Sequence, residues 1–317
     1  MKGRLQQHWI HPDFWQERAF SLFTLILAGI MFLFLTLPFI ALVWRAITLS
    51  GQIVGDITPI LSAMMLSLGT TAVTLAATIL FGTPLAYLLA RHHFPFKRLF
   101  TIFIEIPIVM PPIVAGLGLL SAFGRRGLLG QPLSILNITI TFTAIAVVIA
   151  QLFVSAPFYI RAAQTRFEAL PRSYEEAAAV DGANRWIIFW YVILPQSRRA
   201  LLAGLILSWA RALGEFGATI LFAGNLQGRT QTMPLLVYGA LEQDLRVTFV
   251  TALILLGLAV VAFATTRWLV GVDDEETGLL GSLQRIRHMV QGTRRTSMST
   301  NVVSSCSTKL YGKVRTN

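Results

Sequence analysis

AFSLFTLILAGIMFLFLTLPFIALVW, residues 19–44, runs for 26 residues without a charge. An α-helix rises about 1.5 Å per residue, so about 20 apolar residues cross the roughly 30 Å hydrocarbon layer of a bilayer. The core of a secretory signal is only about 7–15 residues long and leads to a small-residue cleavage site. Residues 19–44 are too many and lack that site, so the run reads as a membrane-spanning helix.

Comparable segments follow it. Residues 57–90 are uncharged and hold a second crossing at 60–89; residues 99–123 hold a third, with Glu105 as the one embedded carboxylate. Residues 127–160 are uncharged, with a fourth crossing at 138–160; residues 200–223 form a fifth, interrupted by Arg211 and Glu215; residues 247–266 form a sixth. Pro38, Gly82, Pro84, Pro107, Pro111 and Pro112 lie inside these spans, which membrane helices tolerate where neighbours re-satisfy the freed backbone groups. The expectation is an all-α integral membrane protein: a segment 1–18, a six-helix domain over 19–270 and a tail over 271–317. Composition agrees, with 55% of the 317 residues hydrophobic, 13% charged and a mean hydropathy of +0.65; soluble domains carry roughly a quarter charged residues.

The net charge of +11 would suggest nucleic acid in a soluble protein. Its placement argues otherwise. If the N-terminus lies inside, the inner segments carry Lys2, Arg4 and Arg18, then Arg91, Lys97 and Arg98, then Arg161, Arg166, Arg172, Arg185, Arg198 and Arg199, then the tail. The outer segments carry only Arg45, Arg125, Arg126, Arg229 and Arg246. This is the bias of a multi-pass plasma-membrane protein with both termini cytoplasmic, and it removes the need for a nucleic-acid partner. The tail, an acidic patch Asp273–Glu276 followed by a basic, Ser/Thr-rich stretch, is expected to be mostly disordered, with a short helix possible over Leu279–Val290.

Several chemistries are excluded. Cys306 is the sole cysteine, and His8, His11, His92, His93 and His288 all lie outside the apolar runs, so no metal or haem site is expected at membrane depth. A GxxxxGK[ST] phosphate loop is missing; Gly312-Lys313 lacks the upstream glycine and the following hydroxyl. The competing class, not excluded in the same way, is an ion-coupled secondary transporter or channel; it would need coupling-ion carboxylates on broken helices, and the few embedded charges disfavour it.

The inner connection between the fourth and fifth helices, residues 161–199, is the longest internal polar segment, and long connections tend to be functional. At its centre stands LPRSYEEAAAVDGANRWIIFWYVILPQ, residues 170–196. Ser173 and Glu176 have capping-box spacing, strong helix formers follow, and Gly182 suits a left-handed helix end. A second short helix is predicted from Asn184 to about Ile193, before Pro195. Glu176-Ala177-Ala178, three residues, Gly182, nine residues and Val192-Ile193-Leu194-Pro195 resemble the EAA signature of ABC-importer permease subunits, with Val192 replacing the usual Ile. The resemblance implies a cytoplasmic coupling helix that docks on an ATPase, with Glu176, Ala177, Ala178, Gly182, Leu194 and Pro195 as its residues.

Gly82–Arg91, Pro111–Gly116, Phe123–Gly130, Ala210–Thr219 and Gly228–Pro234 are similar to the oxyanion branch of that family, the molybdate, tungstate and sulfate permeases, and lean toward molybdate. Arg211 and Glu215, four residues apart, share a helix face. The face is either a self-satisfying pair or the wall of the translocation path, with Gly217 and Thr219 beside it; a pair at the pathway wall reconciles the two. Gly214 and Gly217 would allow close helix packing. The resemblance implies a second permease copy, two cytoplasmic ABC ATPase subunits, an extracytoplasmic substrate-binding protein and a lipid environment. ATP and magnesium would sit on the ATPase, with no cofactor in this chain and no enzymatic activity of its own. Tungstate or sulfate/thiosulfate is the alternative cargo.

Overall fold

The computed structural model describes residues 13–50 and 56–271, and every regular element among them is helical. In chain order these are α1 (Asp13–Ser50), α2 (Thr58–Ala77), α3 (Thr83–Arg91), α4 (Lys97–Val109), α5 (Pro112–Phe123), α6 (Gly130–Ile135), α7 (Ala144–Ala169), α8 (Ser173–Val180), α9 (Arg185–Ile187), α10 (Leu194–Leu213), α11 (Gly217–Phe222), α12 (Met233–Ala240) and α13 (Leu245–Gly271). The segment before residue 13 and the tail beyond Gly271, including Leu279–Val290, lie outside the described residues.

Among the described residues, four helices are long and apolar enough to cross a membrane: Phe20–Leu49, Thr58–Arg91, Ala144–Ala169 and Leu245–Thr265. Nearly all described side chains of α1 are exposed, although the helix is strongly apolar. The third expected crossing is not one straight helix. Its halves, α4 and α5, meet at 119° and count as a fifth span only if taken together. Pro112 disfavours helical backbone at the residue before it, and Pro111 is extended at φ −55°, ψ 132°. The expected fifth crossing, 200–223, is likewise divided, into α10 and α11. The connection between α7 and α10 is shorter than the expected 161–199, because α7 continues through Arg161 and Arg166 to Ala169 and α10 begins at Leu194.

Two π-helical turns, Thr78–Gly82 and Ile188–Ile193, keep helices continuous into Pro84 and Pro195. A proline inside an α-helix loses one hydrogen bond and clashes with the carbonyl four residues back; a wider turn relieves that clash. Pro195 therefore does not end a helix, contrary to the sequence expectation. It sits at the start of α10, and the Leu194 amide bonds back to the Phe189 carbonyl.

The chain forms two compact units. One takes residues up to Leu80, Arg98–Pro157 and Trp209–Val260. In it, α5, α7 and α11 share a core of Ala115, Leu119, Val147, Ala150, Val154 and Phe222. A Cβ on Gly116 would lie 2.9 Å from the Ala218 carbonyl oxygen, and one on Gly217 would lie 2.7 Å from Pro112 Cβ, so both glycines are needed for the approach of α5 and α11. Gly214 makes no such approach, its nearest neighbour being the Ala210 carbonyl oxygen of its own turn at 3.6 Å. Small hydroxyls on α2 join it to other helices: Ser67 Oγ accepts from the Met233 amide (2.8 Å), Thr71 Oγ1 from Trp209 Nε1 (3.3 Å), and Thr74 Oγ1 donates to Gln151 Oε1 (3.1 Å). Such bonds are a usual interhelical glue in membranes.

The other unit takes Phe81–Lys97, Phe158–Ser208 and residues from Val261. The Thr83 and Tyr159 hydroxyls share a 2.6 Å hydrogen bond. The Tyr87 ring meets Phe167 and Phe189 edge-on, with centroids 5.9 and 5.2 Å away. A Cβ on Gly204 would reach 2.6 Å from Ala162 Cβ, so α10 lies close on α7 there.

Candidate functional site

The coupling-signature residues lie in the second unit. α8 is eight residues long and buries none of them. Isolated helices of this length are marginal in water, so its ends and anchors decide whether it holds its shape. The capping box does not form: Arg172 is the N-cap, and its carbonyl, not the Ser173 hydroxyl, accepts the Glu176 amide at 3.0 Å. Helical φ/ψ at Arg172 draws the start one residue earlier and leaves Ser173 inside the first turn.

The other end closes as expected. Gly182 has φ +87°, its amide bonds to the Ala179 carbonyl (3.0 Å), and the Ala183 amide reaches back to Ala178 (3.0 Å). This crossed pair is a Schellman closure, which glycine favours because it has no Cβ. Asn184 then starts α9, its Oδ1 accepting from the Ile187 amide at 2.9 Å. Glu176 and Ala177 are exposed, Ala178 half-buried, and the aromatic and aliphatic side chains around them open outward, with Val180 at 87% and Trp186 at 74% exposure. Leu194 is half-buried and Pro195 exposed.

One anchor of α8 escaped the sequence reading. Glu175 forms an ion pair with Arg91 at 2.6 Å, and the same guanidinium nitrogen, Nη2, donates to the Leu170 carbonyl at 3.1 Å. Leu170 immediately follows α7. The available signal was the position of Arg91 at the end of the charge-free run 57–90, where a lone cation closes a long helix; nothing in the sequence names its partner 84 residues on.

Arg211, Glu215, Gly217 and Thr219 lie in the first unit. Arg211 Nη1 meets Glu215 Oε2 at 2.7 Å, and Glu215 Oε1 accepts the Ala218 amide at 2.8 Å, in the first turn of α11. Glu215 is thus engaged through both oxygens. Gly217 supplies the contact with Pro112. Thr219 is fully buried, and its hydroxyl has no hydrogen-bond partner among the described residues. No cluster of three or more metal-binding side chains occurs among the described residues.

Residues 82–271 match the family model described as binding-protein-dependent transport system inner membrane component. The chain is 37% identical over 216 residues to a probable transport system permease protein, NifC, of Clostridium pasteurianum, spanning 68% of this chain and 75% of that one. It is 37% identical over 247 residues to the molybdenum transport system permease protein ModB of Mycobacterium tuberculosis, spanning 73% and 90%. To the sulfate transport system permease protein CysW of Synechococcus elongatus it is 40% identical over 195 residues, spanning 62% and 68%. Among solved structures, a chain of a bacterial alginate ABC transporter, in complex with an alginate-bound periplasmic protein, superposes with a TM-score of 0.60 at 17% identity, covering 82% of this chain and 96% of that one. That likeness is one of fold.

Proposed function

The chain belongs to the binding-protein-dependent transport system inner membrane components, and we propose that it is the ABC-importer permease subunit that carries a tetrahedral oxyanion, molybdate first, across the membrane. The observation that carries the reading is the exposed α8 with its Schellman closure at Gly182, set at the spacing of the coupling signature. Ala177 and Ala178 let a partner backbone approach closely, Glu176 offers it a carboxylate, and Leu194-Pro195 begin the helix that leads back from the docking segment. In this reading α8 is the cytoplasmic coupling helix, the protein crosses the membrane six times over 19–270 with both termini inside, and residues 271–317 are a cytoplasmic tail.

Two copies would frame the pathway. Two ATPase subunits would hold ATP and magnesium and perform hydrolysis, and a binding protein would deliver cargo from outside, so this chain transports without being an enzyme itself. The Arg211–Glu215 pair, with Gly217 and Thr219, forms the pathway wall or gate. Its carboxylate is buried and bonded, and its guanidinium is the more open half, an arrangement that favours passage of an anion over a cation. The likeness to molybdenum and sulfate permeases supports an oxyanion cargo, and sulfate is the second reading.

The test is reconstitution of the chain with its ATPase and binding protein in lipid vesicles. ATP-dependent uptake of molybdate, competed by tungstate and not by sulfate, is expected. Preferential competition by sulfate transfers the assignment to sulfate. Uptake driven by an ion gradient without ATP defeats the importer reading.

A further inference from the structure

Glu175 and Glu176 are adjacent, yet their surroundings divide them. On a helix, neighbouring residues point about 100° apart, so one of the two can face the protein while the other faces outward. Glu176 is exposed. Glu175 turns inward to Arg91, which is only 8% exposed, while Glu175 itself is 23% exposed. α8 buries no residue of its own, and it packs chiefly on the π-helical turn Ile188–Ile193.

Arg91 adds a polar anchor to that packing. It is the last residue of α3 and binds both the Leu170 carbonyl after α7 and the Glu175 carboxylate on α8. Tyr174, Val192 and Ile193 line the same cleft around the ion pair, which lowers its access to water and weakens screening by salt. Both contacts, the ion pair and the carbonyl bond, are made by one guanidinium nitrogen, Nη2, so the two are held at a single point.

We propose that Arg91 and Glu175 are a positioning pair that fixes the direction of α8, so that Glu175 orients the docking helix while Glu176 meets the partner. The proposal rests on the coupling role assigned to α8 above. Motion of a docked ATPase then reaches the ends of α3 and α7 through one ion pair and one carbonyl contact. Without the pair, α8 could still be held by the partner while no longer pulling on the helices behind it.

Two measurements test this on Glu175→Gln, Arg91→Ala and the double variant. The first is hydrogen exchange at the amides of residues 176–182 in the purified permease, which needs no assumption about transport. Each single variant is expected to speed exchange at least tenfold, and the double variant no more than the faster single. The second, in the reconstituted complex, is molybdate uptake per ATP hydrolysed. A loss of at least fivefold is expected, with unchanged ATPase bound per permease, whereas Glu176→Gln lowers bound ATPase and leaves exchange in α8 unchanged. If Glu175→Gln exchanges like the parent while Arg91→Ala does not, Arg91 serves only the Leu170 carbonyl and the proposal falls. It falls also if the effects of the two substitutions multiply. If the parent chain retains no ATPase, the importer reading fails, and the exchange data still decide whether the pair orients α8.

Discussion

Arg211 and Glu215 form an ion pair open on one side: the guanidinium side chain is 30% exposed and the carboxylate beneath it 1%. Glu215 also accepts the Ala218 amide, so the pair joins α10 to the start of α11. Removing one member of a buried pair typically costs about 3–5 kcal/mol, and the exposure of Arg211 places Arg211→Ala toward the lower end. Glu215→Gln keeps an oxygen for the Ala218 amide and leaves the positive charge on its open side. Thermal unfolding in detergent should therefore show Arg211→Ala as the less stable variant, with Glu215→Gln assembling normally and changing uptake.

Gly116 and Gly217 should be intolerant of side chains. An added Cβ would meet backbone or ring atoms at 2.9 Å or less at each position, and these atoms cannot swing aside. Overpacking of this kind costs about 1–3 kcal/mol. Gly116→Ala and Gly217→Ala should each lower the detergent melting temperature, whereas Gly214→Ala should have little effect.

Gly182 presents the opposite case. Among the described residues nothing lies within 4 Å of a Cβ there, so a substitution meets only the backbone strain of φ +87°, about 1–3 kcal/mol for a β-branched residue. Gly182→Val should reach the membrane in normal amount and lose ATPase on gentle purification or fail to transport. Gly182→Asn, which enters the left-handed region more readily, should keep more of both.

Asp56 precedes the first turn of α2. Its carboxylate accepts from the Thr58 hydroxyl and, at 2.9 Å, from the Thr58 amide; the hydroxyl bond, then the amide bond, hold it below the ordinary aspartate value of 3.8. A depressed folded value means the Asp56–Thr58 contact contributes above pH 3.8 and is lost as pH falls below that value through the folded one. Exchange of the Thr58 amide should quicken in that acid range beyond its intrinsic pH trend, and Asp56→Asn should remove the extra step.

Topology can be read by labelling. Gln227 and His93 are both exposed, whereas Thr230 is fully buried and unsuited to a probe. With Cys306 replaced, a cysteine at Gln227 should react with an impermeant reagent in intact cells and one at His93 only after lysis. The reverse pattern would invert the proposed orientation.

Charge-free runs were enough to locate α1, the helix from Thr58 to Arg91, α7 and α13, because an unbroken apolar stretch has one stable solution in lipid. They were not enough to foresee the bend between α4 and α5, since prolines elsewhere in the chain are absorbed: Pro38 and Pro157 sit inside continuous helices. The left-handed turn at Gly182 was legible because it depends on one residue and its neighbours. The capping box was not, because the backbone carbonyl of Arg172 takes the Glu176 amide instead. The Arg91–Glu175 pair joins residues far apart in sequence, and local pattern holds no record of such a meeting.

The π-helical turn at Ile188–Ile193 holds one residue more than an α-turn, and each helical residue advances the chain by about 100°. It therefore sets the phase of the helix beyond it. Gln196, whose carbonyl accepts from Arg166 at 2.8 Å, and Gly204, pressed against Ala162, both meet α7 in that phase. The nine-residue interval between Gly182 and Val192 is accordingly an angular setting as much as a length. Deleting one residue from it would not merely shorten a connection: it would rotate the start of α10, carry Gln196 away from Arg166, and turn a side chain toward α7 where only Gly204 fits.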